Sequence, residues 1–107
     1  MNFKLNNEQI KYAITKLRKQ IFFLLLIVDE KTKKEYENIN VEEAFDNVLT
    51  NINGLNEILS YPNSLVSVIL LLQSALNEYK KEDFSFKKYR KLILDAGNEV
   101  LNICKEG

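Results

Sequence analysis

Residues 21–28 read IFFLLLIV, eight apolar residues in a row, closed by Arg18, Lys19 and Gln20 on one side and by DEKTKK on the other. Nothing else in the chain restricts the fold as tightly. A helix that spans a bilayer needs about 20 largely apolar residues, so this run is too short to cross one. A buried strand has that length, and periodicity decides between strand and helix. Ile10, Ile14, Leu17, Ile21, Leu24 and Val28 recur in alternating steps of four and three, which is a stripe along one side of a helix. The run is therefore the second half of a helix of roughly 20 residues. Its start is marked by Asn6 as N-cap, Gln9 as the return partner of a capping box, and Leu5 and Ile10 at the staple positions.

The same rhythm continues downstream. Asn40 caps a second helix with Glu43 at the capping-box position, and Val41, Phe45, Val48, Ile52, Leu55 and Leu59 form its stripe. The stripe keeps phase through Gly54, so one helix is expected to about Ser60, with a break at NING (51–54) as the alternative. Pro62 then turns the chain, because proline cannot continue a helix. A third helix is expected from Leu65 to about Lys80. Its apolar positions cover most of the circumference, which marks it as the most buried of the set. Ser85 caps a fourth, with Phe84 opposite Tyr89 as staple and Phe86, Tyr89, Ile93, Ala96, Val100 and Ile103 as stripe. Ala96–Gly97 in mid-helix is either a close approach to a neighbour or a tolerated glycine. Residues 29–39 form a charged loop or a short extra turn. Four amphipathic helices with short links predict one all-α domain over 1–107, an antiparallel up-and-down four-helix bundle.

Composition narrows the chemistry. There is no His and a single Cys, and no glycine-rich loop, so triads, phosphate cradles and His-based metal sites have no parts. No catalytic residue, cofactor or metal is expected, and the chain is read as a non-enzyme. Cys104 reads as a small core residue near a helix end. With no secretory signal and no cysteine pair, the cytoplasm is the expected compartment. Glu42, Glu43 and Asp46 share a turn, but di-metal bundles also use Glu-x-x-His pairs, and acids in a first turn favour the helix dipole. Thirteen Asn and thirteen Lys among many Ile and Leu are the usage of an A·T-rich genome, such as a low-G+C bacterium or its phage.

Charge is balanced at fifteen against fifteen but unevenly placed. No cation falls between Lys34 and Lys80, a stretch with seven acids, whereas residues 80–91 hold six cations against Glu82 and Asp83. Cations interleaved with Phe84, Phe86 and Tyr89 resemble a single-strand nucleic-acid surface. The aromatics are already used by the staple and stripe, however, and the net charge is zero. Nucleic acid is therefore not expected as a partner, and attraction to the acidic start of the second helix explains much of the pattern. Phe22, Phe23, Leu26 and Ile27 lie outside the Ile21–Leu24–Val28 seam. They are either covered by the 29–39 loop or form an apolar patch for a partner or a second copy. The candidate partner-binding residues are Phe22, Phe23 and Leu26 with Lys87, Lys88 and Arg90, and a homodimer through the first helix is one form such contact would take.

The order of parts resembles the bacteriocin immunity proteins: a helix ending in LLLIVD, a charged loop, a helix leading to a proline turn, SLVSVILLLQSAL, and a last helix opened by FSFKKY. The likeness runs over roughly residues 5–103 in pattern and spacing, and the chain ends at CKEG where that family often carries a longer tail. The resemblance implies a cytosolic, non-enzymatic four-helix bundle that acts by binding protein. Alternatives of the same size and composition are a phage or mobile-element inhibitor of a host defence machine, of the anti-CRISPR type, and a phage assembly accessory subunit.

Overall fold

A computed structural model describes residues 6–60 and 62–103. Four helices follow one another, α1 (Asn7–Leu26), α2 (Val41–Ile58), α3 (Asn63–Tyr79) and α4 (Phe86–Val100), with a single 3-10 turn at Lys33–Tyr36 and no strand among the described residues. Each helix packs on the next and α4 closes back on α1. The result is a ring of four antiparallel neighbours, 44 × 23 × 20 Å, as the sequence predicts. Leu5 and Cys104 lie outside the described residues.

The helix starts follow from local chemistry. Asn6 Oδ1 accepts from Gln9 N at 2.8 Å while Gln9 Oε1 accepts from Asn6 N at 2.9 Å, a complete capping box. At α2 only the forward half forms: Asn40 Oδ1 accepts from Glu43 N at 3.0 Å, and the Glu43 carboxylate makes no return bond. Ser85 caps α4 through Lys88 N, and the staple is present as a Phe84–Tyr89 edge contact at 5.9 Å. The third helix begins at Asn63, two residues before the sequence places it, because the Pro62 carbonyl accepts from both Leu65 N and Val66 N. Helix α2 runs unbroken through Gly54. It ends on Ser60 in the left-handed region, φ 62°, as a C′ residue does, with Pro62 just beyond.

The core is the set of predicted stripes joined. Ile14, Leu17, Ile21 and Leu24 of α1 meet Phe45, Val48 and Ile52 of α2, Leu65, Val68 and Leu72 of α3, and Tyr89, Ile93, Ala96 and Val100 of α4. The third helix has the most buried positions of the four, as the sequence predicts, and it keeps an outer face where Val66 and Leu70, one turn apart, are exposed, Leu70 by 59%. A ring of four gives every helix an outer face, whatever residues occupy it. One expectation is corrected: the α2 stripe changes side near its end, where Asn56 is buried (4% exposed) while Leu55 and Leu59 are only half-buried.

Candidate functional site

Antiparallel order puts the end of α1, the start of α2, the end of α3 and the start of α4 at one end of the bundle. That brings Phe23 and Leu26 on α1 and Lys87, Lys88 and Arg90 on α4 to the same end, whereas the ring of Phe22, the remaining candidate, points back along α1 to Gly97 in the last turn of α4.

The last turn of α1 is pinned there. A helix leaves its final four carbonyls without partners in the helix. Here Phe23 O accepts from Ile27 N and Leu25 O from Val28 N and Asp29 N. Leu26 O accepts from Thr32 Oγ1 at 2.7 Å, and Leu24 O accepts the buried phenol of Tyr89 from α4. Burial, with Tyr79 nearby, pushes the Tyr89 pKa well above the ordinary tyrosine value. Tyr89 stays neutral, and its hydroxyl is a standing donor.

This anchoring settles how the apolar run is used. Ile27, expected outside the seam, is buried together with Val28, because the chain leaves the helix after Leu26 and folds both inward. Phe23 is half-buried edge-on against Tyr36 of the 3-10 turn, 5.1 Å between centroids. Phe22 is half-buried against α4. Leu26 is the member of the run left exposed, by 38%. The 29–39 connection thus does cover part of the run, and the patch on α1 is smaller than the sequence implies.

Phe22 explains Gly97. A Cβ built on Gly97 would lie 2.5 Å from Phe22 Cε1, so the glycine is a close approach and not a tolerated one. The Arg18 guanidinium stands over the same ring at 5.3 Å, and its Nε donates to Gly97 O at 3.1 Å. Gly54 has nothing within 4 Å of its missing Cβ. Alanine at the two sites should therefore act with opposite sign. Gly54→Ala is expected to stabilise by about 0.5–1 kcal/mol, through helix propensity and a less flexible unfolded chain. Gly97→Ala should cost a net of about 1–2 kcal/mol, because the clash outweighs the same gain. Phe22→Ala in the Gly97→Ala background should remove most of the clash, a coupling that urea denaturation of the four proteins reads directly.

The electrostatics of this end are only partly internal. Lys80 approaches Glu42 at 3.9 Å, the expected attraction between the basic segment and the start of α2. Both side chains are at least half exposed, and such a pair adds little stability. Glu78 does more: 6% exposed, it accepts from Ser85 N at 3.1 Å and pairs with Lys81 at 3.4 Å, strapping the α3–α4 turn. Lys91 pairs with Asp95 at 2.9 Å. Lys87, Lys88 and Arg90 have no acidic partner among the described residues.

Two clefts flank the end of α1. One, of about 580 Å³, lies between α1 and the start of α2 and is lined by Lys19, Phe23, Ile39 and Glu43, among others. The other, of about 700 Å³, lies between residues 27–33 and the start of α4. The sequence reading missed the second cleft and its wall of Tyr79, Phe84 and Phe86. Their spacing reveals a staple and a stripe but not the gap left beside them by the 27–33 connection. Among the described residues no group of three or more His, Cys, Asp or Glu is placed to hold a metal ion, and no helix is long and apolar enough to cross a membrane. Compared with protein-family models, curated proteins and solved structures, the chain matches none.

Proposed function

We propose that this chain is a non-enzymatic protein-binding module of the bacteriocin-immunity type, acting in the cytoplasm through the end of the bundle formed by the last turn of α1, the 27–40 connection and the first turns of α4. One observation carries the reading: Lys87, Lys88 and Arg90 stand without acidic partners, at the same end as the exposed Leu26. Cations in the first turn oppose the helix dipole by about 0.3–1 kcal/mol each. The first turns of α1 and α2 carry acids and that of α4 carries none. The charge of Lys87 and Lys88, which works against its own helix at the same end as an exposed apolar side chain on a firmly pinned backbone, has the character of a binding surface.

Expression in a bacteriocin-sensitive strain tests this reading against its nearest rival. Survival above that of the empty strain is the expected result. A parallel phage-interference assay in a CRISPR-active strain makes the comparison decisive, since rescue of phage there without protection from bacteriocin would reject the immunity reading in favour of an inhibitor of host defence.

A further inference from the structure

The cleft of about 700 Å³ between residues 27–33 and the start of α4 has two unlike halves. Its wall is aromatic. Tyr79, Phe84 and Phe86 each pack on the buried Tyr89 at centroid separations of 6.4, 5.9 and 6.3 Å, and Tyr89 is tied to α1 through the Leu24 carbonyl. The wall is held in place before anything enters, so little ordering cost falls on binding.

Its rim is charged, with Lys31, Lys33 and Arg90 against Asp29 and Glu30, and each acid has a local contact. Asp29 accepts from the backbone N–H of Lys31 at 3.0 Å, and Glu30 lies 3.8 Å from Lys33. Lys31 and Arg90 line the cleft with no acidic partner among the described residues. The rim keeps an excess of one cation. An apolar wall beside the side chains of Lys31 and Arg90, which have no ion pair among the described residues, matches an apolar side chain adjacent to a single carboxylate. A nucleic-acid strand fits less well. It needs a continuous basic track with base-stacking faces turned outward, whereas this rim also holds Asp29 and Glu30 and the chain has no net positive charge.

We propose that this cleft takes an acidic segment of a partner protein, seating a large apolar side chain on the Phe84–Phe86 wall and a neighbouring carboxylate between Lys31 and Arg90. The assignment deepens the protein-binding reading and rests on it. A pairing of this kind gives specificity and a fast, salt-sensitive approach more than raw affinity.

The test is a titration of the isotope-labelled full chain, followed by amide resonances, with three probes. These are a blocked hexapeptide Asp-Glu-Phe-Leu-Asp-Glu, the same peptide with lysine at every acidic position, and a thymidine dodecamer. The acidic peptide should move the Phe84, Phe86 and Arg90 resonances and weaken with added salt. Lys31→Glu with Arg90→Glu should weaken it by about tenfold or more with the melting temperature unchanged, since neither side chain supports the core. No response to the acidic peptide, equal binding of the lysine peptide, equal binding by the double variant, or tighter binding of the dodecamer at these residues would each overturn the proposal. So would concentration-dependent self-association through the same residues, which would make a second copy the occupant. The protection assay separates this inference from the broader reading. If the wild-type chain fails to protect while the acidic peptide binds in the charge-dependent way, the immunity reading falls and the cleft stands. If the wild-type chain protects and the double variant protects equally, the cleft assignment falls alone.

Discussion

Truncating Tyr89 to alanine is expected to cost about 3–5 kcal/mol, the range for a fully buried aromatic side chain. Tyr89 is the point where the end of α1 and the aromatic cluster of α3 and α4 join: its ring touches Phe45, Tyr79, Phe84 and Phe86, and its hydroxyl donates to Leu24 O. Tyr89→Phe separates the two contributions. It keeps the ring and leaves a buried carbonyl without its donor, at about 1–3 kcal/mol. Alkaline pH acts on the same bond. The folded pKa of Tyr89 lies above its ordinary value of 10.0, because burial penalises the phenolate and Tyr79 adds to it. Its contribution is therefore complete below pH 10 and is lost as pH rises beyond that value, where unfolding releases the proton. Chemical denaturation at neutral pH and above pH 10 should show a steeper alkaline loss for the wild type than for Tyr89→Phe.

Ile21→Ala and Leu24→Ala should each cost about 2–5 kcal/mol, since both side chains are fully buried on the inner side of the second half of α1. Leu26 lies two residues beyond Leu24, on another side of the same turn, and is partly exposed, so Leu26→Ser should change stability by no more than about 0.5 kcal/mol. Equal losses at all three sites in urea denaturation would show that the last turn of α1 is core throughout.

Helix number, order and the N-cap residues of α1, α2 and α4 were legible because each depends on residues close in sequence. Asn6 with Gln9, Ser85 with Phe84 and Tyr89, and the four–three spacing of Ile14 to Leu24 all act within one or two turns. Features that depend on residues far apart were not legible. Phe22 looks like a free aromatic until Gly97, on a different helix, is found to make room for it. Ile27 reads as off the stripe because the stripe assumes a helix that in fact ends at Leu26. Asn56 is polar at a position where the stripe turns inward, and no local pattern flags a polar residue for burial. The candidate site was legible as composition, a basic and aromatic opening of α4, but not as a cleft, since the wall across from it comes from residues 27–33.

The central claim is that one end of this bundle is a contact surface built on a rigid core, and Leu26→Lys tests it most directly. Melting temperature and protection in a bacteriocin-sensitive strain should be measured on the same variant. The account predicts a melting temperature close to that of the wild type together with a clear loss of protection, because an exposed apolar contact is replaced without disturbing the core. A variant that melts like the wild type and protects as well as it does would contradict the claim.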